Sequence, residues 1–168
     1  MKKYAPALAD ILYRQKVLSQ KDAQALAKDF VQGDPAQLNY FLLDEGLVTK
    51  HDLLKALAQY YQVPFFDVRG YQFNHDLLAF FPQELLVRNA MAPIEFDGAI
   101  LTVVAGQPDV PELREMLRAY VTYHIEFRVG ITRDIVDEIR AYYEAPPNAE
   151  EIEQEEDEDD STDIVDVF

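Results

Sequence analysis

Apolar residues recur at helical spacing through the first third of the chain. Leu8, Ile11 and Leu12 form a first stripe, and Ser19 then stands at a typical helix start. After Asp34 and Pro35, a second apolar stripe follows, and Thr49 then stands at the position equivalent to Ser19. The pattern therefore predicts two helical hairpins in succession.

The two predicted hairpins are copies of one another. Shifting the sequence by 30 positions places apolar residues on apolar residues and caps on caps. Two such hairpins bury faces that neither buries alone, so we expect them to stack. The superposed pairs are Leu8 and Leu38, Ile11 and Phe41, Leu12 and Leu42, Val17 and Leu47, Leu18 and Val48, Ser19 and Thr49, Asp22 and Asp52, and Phe30 and Tyr60.

After residue 63 the pattern changes to short helices and strands. Asn74 and Pro82 begin two short helices. Asp97-Gly98 lies between two apolar runs, 91–96 and 99–105, and indicates a β-hairpin. A third strand is predicted over 124–129. Asp109 and Thr132 are the predicted caps of the helices before and after that strand.

These elements predict an α+β fold with three parts. Residues 5–62 form a four-helix subdomain of two repeated helical hairpins. Residues 63–145 form a small three-stranded subdomain in the order β-β-α-β-α. Residues 146–168 form a disordered acidic tail behind Pro146-Pro147.

Charge is concentrated in that tail. The 168 residues carry a net charge of −16, and residues 146–168 contain eleven acidic residues without a Lys or Arg. Residues 1–145 hold 15 basic and 20 acidic residues, a charge of −5. Because phosphate neutralisation needs a basic excess, we expect no nucleic-acid partner.

Composition also argues against several other classes of protein. The absence of cysteine excludes disulfides, thiol catalysis and cysteine-containing zinc sites. No apolar run approaches the roughly 20 residues of a membrane-spanning helix, so we predict a cytoplasmic protein without membrane insertion. His51, His75 and His124 are too scattered for a metal site, and Glu95 with Asp97 is typical of a solvated turn. We therefore predict no catalytic residue, metal or cofactor.

Four features together resemble one known family. They are the duplicated hairpins, the segment 42–58 that joins the second pair, the junction Val63-Pro64-Phe65-Phe66-Asp67, and the run 101–105 before Pro108-Asp109. In this order and spacing they are similar to the N-terminal domain of type II secretion and type IV pilus assembly ATPases, also called MshEN. The resemblance spans about residues 5–145.

The resemblance implies a protein-binding or regulatory module. Its partners would be an assembly ATPase or the cytoplasmic part of an inner-membrane platform protein. No G-x-x-x-x-G-K-[ST] segment is present, so we expect no ATPase motor in this chain. Either the chain is a standalone copy of the domain, or it is the N-terminal part of a longer ATPase. The apolar residues within 163–168 are typical of a docking peptide or are incidental.

Part of this family binds cyclic di-GMP through two copies of R-L-G-x-x-L-x-x-x-G, each followed by a glutamine. Here the Arg-Leu-Gly positions hold Ala7-Leu8-Ala9 and Gln37-Leu38-Asn39, and the glutamine positions hold Phe30 and Tyr60. The later glycine is Lys16 in one copy and Gly46 in the other. A cyclic di-GMP sensor with degenerate motifs is therefore the alternative function, and its ligand-binding positions would be Leu8, Leu12, Leu38, Leu42 and Gly46.

Paired aromatic residues are the last unusual feature. Neighbours cannot face the same side of a helix or strand, so one member of each pair is expected to reach a second surface. That surface is either the junction between the two subdomains or a partner interface. The pairs are Tyr60-Tyr61, Phe65-Phe66, Phe80-Phe81 and Tyr142-Tyr143.

Overall fold

Residues 3–30 and 33–144 are described by a computed structural model, and within them the helices and strands follow the predicted order. The α+β fold class is confirmed: within the described residues, six helices come before the first strand, and the three strands form one sheet. The elements are α1 (Tyr4–Arg14), α2 (Gln20–Asp29), α3 (Pro35–Asp44), α4 (Lys50–Tyr61), α5 (His75–Leu78), α6 (Gln83–Asn89), β1 (Met91–Phe96), β2 (Ile100–Ala105), α7 (Glu112–Arg118), β3 (His124–Val129) and α8 (Thr132–Glu144).

Side-chain caps begin four of the helices where the sequence places them. Ser19 accepts a bond from the Asp22 amide, and Thr49 accepts the equivalent bond from the Asp52 amide, both at 3.1 Å. Asp34 and Asn74 cap α3 and α5 in the same way. Each cap satisfies a backbone donor that has no partner inside its helix, which fixes where the helix begins.

The turns of the two hairpins match bond for bond. The Val17 and Leu47 amides donate to the Leu12 and Leu42 carbonyls at 2.9 and 3.0 Å. The residue before each donor has a positive φ, 64° at Lys16 and 68° at Gly46. The local repeat is therefore structural, but α1 packs closely against α2 and α4, whereas α3 and α4 lie further apart.

Lys16 occupies a backbone conformation that favours glycine. We expect Lys16→Gly to raise the free energy of unfolding by about 0.5–1 kcal/mol, because the left-handed strain exceeds the extra freedom of glycine in the unfolded chain. Gly46→Lys at the equivalent turn is the matched reverse change and is expected to lower it by about 1 kcal/mol. Urea unfolding measures both changes, and equal signs for the two would contradict this explanation of the turn.

The sheet has the order β1-β2-β3. β1 and β2 pair antiparallel as the predicted hairpin, and β2 and β3 pair parallel with α7 in the crossover. Asp97 Oδ1 accepts bonds from the Ala99 and Ile100 amides at 2.9 and 2.7 Å, which close the turn and lower the pKa of that carboxyl. The interpretation of Asp97 as a turn residue is confirmed.

Two predicted caps are wrong. α7 begins at Glu112 behind Pro111, with no side-chain cap, so Asp109 lies too far upstream to cap it. The Val110 amide instead bonds to the Gln107 carbonyl, and this tight turn separates Asp109 from the helix. Thr132 is the first residue of α8 rather than the residue before it.

Two hydrophobic clusters form the interior. One lies around the sheet and helices α5 to α8, and the other lies among α1 to α4. Val129 and Ile131, from the end of β3 and the approach to α8, belong to the helical cluster. Phe65 packs on the helical cluster and Phe66 on the sheet cluster, as expected for neighbours facing opposite sides. The division at residues 5–62 and 63–145 stays a prediction.

The predicted tail, residues 146–168, lies outside the described residues, as does its predicted docking end. Within residues 3–30 and 33–144, no helix is both long and apolar enough to cross a membrane. In the same part of the chain, no three His, Asp or Glu side chains come together in an arrangement that could hold a metal ion.

Candidate functional site

The five predicted ligand positions separate into core residues and one surface glycine. Leu8, Leu12, Leu38 and Leu42 are at most 1% exposed and belong to the helical cluster. Gly46 is exposed, and no heavy atom lies within 4 Å of the Cβ that a side chain would add there. Packing in the helical cluster is enough to explain why these four positions are leucine. Ligand contact at the five positions stays a prediction.

The positions where the cyclic di-GMP motif has arginine hold uncharged residues in this chain. Ala7 and Gln37 stand where the resemblance places arginine, so neither copy offers a guanidinium there. Where it places a closing glutamine, the ring of Phe30 packs against Phe41 at 4.9 Å with the ring planes tilted by 44°, and Tyr60 lies edge-on to Tyr4 at 5.0 Å. Apolar ring contacts replace the polar contacts that a dinucleotide would need.

A tyrosine cluster joins α1, α3 and α4. The Tyr4 hydroxyl donates to Asn39 Oδ1 at 2.6 Å, and Asn39 is 3% exposed. Burial, together with Tyr61, raises the pKa of Tyr4 well above its ordinary value. Asn39 stands at the second motif's Arg-Leu-Gly glycine, so the side chain that fills this position is committed to an internal bond.

A cavity of about 480 Å³ lies between α1, the end of α4 and the loop before α7. Ala7 and Tyr60, from the motif positions, line it together with Arg14, Asp10 and Asp109. Arg14 Nε lies 3.0 Å from Asp10 Oδ2, and both side chains are exposed. The lining thus holds two carboxylates and one guanidinium, which leaves the cavity with an excess of negative charge.

A hydrogen bond connects the wall of this cavity to the first hairpin turn. Gln15, the residue before Lys16, donates from Nε2 to Gln59 Oε1 at 3.0 Å. This bond links the end of α1 to the last turn of α4. Any molecule that enters the cavity therefore meets amide groups and tyrosine rings rather than a row of cations.

A second polar centre, which sequence reasoning missed, joins the helical and sheet parts. Asp134 in the first turn of α8 has a side chain that is 7% exposed. Its Oδ2 lies 3.0 Å from Lys50 Nζ in α4, and its Oδ1 lies 2.6 Å from Arg69 Nη2. Arg69 also reaches Asp137 and Glu138, at 3.6 and 3.2 Å. One buried carboxylate thus holds cations from two distant segments.

α3 and α8 meet through a further ion pair. Arg133 Nη2 lies 3.1 Å from Asp44 Oδ1, and the same guanidinium lies over the Tyr40 ring at 4.7 Å. Hydrogen bonding to Asp44 raises the pKa of Arg133. The charge spacing in the sequence gives no signal for either ionic centre, because the partners are 65 to 89 residues apart.

The three histidines lie apart from one another. His51 packs edge-on to Phe65, and His124 is exposed on β3, with its Nε2 3.9 Å from Glu126 Oε1. His75 Nδ1 lies 2.6 Å from the Tyr142 hydroxyl. Glu95 faces Arg128 at 3.8 Å. These side chains make separate structural contacts and do not form one acid-base constellation among the described residues.

Comparisons with known proteins agree with the predicted resemblance. The family model of the MshEN domain matches residues 61–149, which is more than half of the chain. This range begins at the end of α4, so the predicted ligand positions lie before it. The type IV pilus assembly ATPase PilB of Myxococcus xanthus (strain DK1622) is 23% identical over 146 residues. Those residues cover 86% of this chain and 26% of PilB, so the chain spans about a quarter of that relative.

Two solved structures are similar over most of the chain. The structure of MshE with cdg has a TM-score of 0.62 and 25% identity, covering 81% of this chain and 98% of that one. The structure of the N-terminal domain of XpsE has a TM-score of 0.54 and 17% identity, covering 83% and 97%. The likeness to XpsE concerns the fold alone.

Proposed function

Because the chain belongs to the MshEN domain family, we propose that it is a non-catalytic protein-binding module of type II secretion or type IV pilus assembly. Its fold is that of the N-terminal domain of an ATPase of this class. The proposed partners are an assembly ATPase or the cytoplasmic part of an inner-membrane platform protein, and the proposed location is therefore the cytoplasm.

One observation carries this proposal. The seam between the repeated hairpins is filled by buried leucines and by the Tyr4–Asn39 bond, so the repeat serves as a packed scaffold. Charged hydrogen bonds to a phosphate are worth roughly 1.5–3 kcal/mol each, and the positions that would make them hold Ala7 and Gln37. A scaffold of this kind acts through its outer surface.

The ionisable side chains support a non-catalytic role. Asp134, Arg69 and Arg133 make short ionic contacts that join one helix or segment to another. Catalysis requires a nucleophile or base directed into a pocket and held by a third group. These three charged side chains hold elements of the fold together.

Co-purification tests the proposal. The full chain, mixed with a purified assembly ATPase or platform-protein domain from its own source, is expected to elute with one of them in gel filtration. A variant with Glu155, Glu156, Asp157 and Glu158 changed to amides tests the tail: if the tail docks, that variant loses the partner and added salt weakens binding. Separate elution from both partners would contradict the proposed function.

Cyclic di-GMP binding is the second candidate, favoured by the likeness to MshE with cdg and by the cavity beside Ala7, Arg14 and Tyr60. The cavity offers one guanidinium, already paired with Asp10, whereas the ligand brings two phosphates. Charge-assisted hydrogen bonds hold phosphate more strongly than neutral ones, and the cavity has one cation, already paired, for two phosphates, so the first function is the better supported.

Calorimetry separates the two functions. Titrating the full chain with cyclic di-GMP is expected to give no saturable heat at micromolar protein. Arg14→Gln provides the matched variant, because it removes the guanidinium of the cavity from an exposed helix position. Tight binding that Arg14→Gln abolishes would establish the sensor function instead.

A further inference from the structure

An apolar groove of about 260 Å³ lies between α1 and α2 of the first hairpin. Ala9 and Ala23 in its lining are 2% and 8% exposed, whereas Tyr13 is 44% exposed. Pro6 and Ala27 are half-buried and complete the apolar lining. Small-molecule sites usually have volumes of about 300–1,000 Å³, so this groove is of a size that one or two side chains of a peptide fill.

The polar side chains of the groove bring no net charge into it. Gln20 and Gln24 are neutral, and the Asp10 carboxylate is balanced by Arg14, whose Nε lies 3.0 Å away. Within the described residues, the Tyr13 side chain makes no hydrogen bond and no contact with another ring. The groove is therefore available to an occupant with apolar side chains.

A second cavity, of about 450 Å³, lies between the 71–75 segment and α8 and differs from the groove. Its polar side chains are already bonded to neighbours. His75 Nδ1 lies 2.6 Å from the Tyr142 hydroxyl, and Glu138 Oε1 lies 3.2 Å from Arg69 Nη1. These contacts account for the cavity as part of the fold.

The second hairpin has an equivalent of the groove's α1 side, and there it is covered. Under the 30-residue shift, Asp10 corresponds to Tyr40 and Arg14 corresponds to Asp44. Arg133 of α8 lies over the Tyr40 ring at 4.7 Å and pairs with Asp44 at 3.1 Å. α8 thus packs on this side of the second copy, whereas the first copy keeps a groove at the same place.

Charge favours an acidic occupant. Residues 1–33 hold six basic and three acidic residues, a net charge of +3, whereas residues 34–145 hold nine basic and 17 acidic residues, a net charge of −8. In the described part of the chain, four lysines of the first hairpin are exposed and form no ion pair, namely Lys3, Lys16, Lys21 and Lys28. Such cations attract a segment that carries carboxylates beside its apolar residues.

Two of these lysines stand next to the groove. Lys21 and Lys28 directly follow Gln20 and Ala27 of its lining, and both lie on α2. Lys3 lines a neighbouring cavity that shares Pro6 with the groove. An apolar surface with lysines beside it is complementary to a peptide that alternates apolar and acidic residues.

A segment with this chemistry belongs to the chain itself and lies outside the described residues. Residues 163–168, Asp-Ile-Val-Asp-Val-Phe, combine four apolar side chains with two carboxylates. The 18 residues 145–162 join this segment to the end of α8 and span at most about 60 Å. A domain of this size has a diameter of roughly 40 Å, so the segment can reach the groove of its own chain.

We propose that the groove between α1 and α2 binds residues 163–168 of the same chain. Phe168 is the aromatic side chain that fills the groove beside Tyr13, and the carboxylates of Asp163 and Asp166 are held by the lysines of the hairpin. Because both parts belong to one chain, the segment has an effective concentration on the order of 1 mM at the groove. An intrinsic dissociation constant of about 0.1 mM then fills the groove in about nine tenths of the molecules. This contact within the chain does not depend on the proposed function.

Paramagnetic NMR of the full chain tests the contact. Ser161→Cys introduces a cysteine into a chain that has none, so a nitroxide attaches at one position beside the segment. We expect the nitroxide to broaden the amide resonances of Ala9, Ala23 and Ala27, and we expect added salt to reduce that broadening. Unbroadened resonances at all three alanines would overturn the proposal.

A mixed sample separates contact within the chain from contact between copies. It combines a nitrogen-15 chain without nitroxide and an unlabelled chain that carries it. We expect little broadening of the groove resonances in this mixture. Broadening as strong as in the singly labelled chain would show that the groove binds the segment of a second copy, and would overturn the proposed contact.

Aromatic variants locate the contact on the groove. Tyr13→Ser and Phe168→Ser are each expected to weaken it about tenfold, which lowers the bound fraction from about nine tenths to about half. Tyr13→Phe keeps the ring and the contact. Tyr120→Ser removes a half-exposed ring outside the groove and serves as the control. Undiminished broadening in both Tyr13→Ser and Phe168→Ser would overturn the groove as the site.

Lysine variants test the charge. The double change of Lys21→Gln and Lys28→Gln is expected to reduce the broadening, because it removes two cations beside the groove. Lys55→Gln removes an exposed cation of the second hairpin and is expected to leave the broadening unchanged. Equal effects of the double variant and of Lys55→Gln would contradict the assignment of the carboxylates to the first hairpin.

Discussion

Leu42→Ala is expected to lower the free energy of unfolding by about 3–5 kcal/mol, the range for a fully buried leucine whose removal leaves a cavity. Leu42 is 0% exposed, and its carbonyl also accepts the bonds that close the second hairpin turn. The backbone bond stays in the variant, so the loss reports side-chain packing. Urea unfolding followed by circular dichroism measures it.

Leu47→Ala is the matched control for that loss. Leu47 lies in the same hairpin turn but is 36% exposed, so its truncation is expected to cost less than about 1 kcal/mol. Leu12→Ala, at the equivalent position of the first copy, is expected to behave like Leu42→Ala. Similar small losses for all three variants would contradict the packed seam on which the proposed function depends.

Asp134→Asn is expected to lower the free energy of unfolding by about 1–3 kcal/mol. Losing one partner of a fully buried ion pair costs about 3–5 kcal/mol, but Lys50 and Arg69 are 35% and 45% exposed and regain water, which reduces the cost. The same substitution is expected to loosen α8 from α4 and the 67–70 segment. Hydrogen exchange of the α8 amides follows that loosening.

Asp137→Asn is the control on the same helix. Its carboxylate is 51% exposed and lies 3.6 Å from Arg69, so its neutralisation is expected to cost no more than about 0.5 kcal/mol. If Asp134→Asn proved as mild as Asp137→Asn, the buried carboxylate would not be what holds the two parts of the chain together.

The secondary structure was predictable where local chemistry decides it. Ser19, Asp34, Thr49 and Asn74 cap helices because each bonds to an amide two or three residues away. Asp97 closes the β-hairpin for the same reason. Asp109 and Thr132 are the exceptions. The turn around Val110 moves the start of α7 beyond the reach of Asp109, and Thr132 is itself the first residue of α8.

The candidate site was predictable only in part. The repeat identified Leu8, Leu12, Leu38 and Leu42 as a matched set, and the structure places all four in the core. Neither cavity was predicted. One cavity forms where α1 passes the end of α4, and the other forms where the 71–75 segment meets α8.

The sequence by itself determined the order of elements, four of the helix caps, the hairpin turns and the apolar stripes, because these depend on residues only a few positions apart. Tertiary structure alone decided that Tyr4 bonds to Asn39 and that Asp134 holds Lys50 and Arg69. Those contacts join residues that are 35 to 84 positions apart in the sequence. The packing of whole helices brings these residues together. Periodicity records which face of a helix is apolar, but it does not record which other helix that face meets.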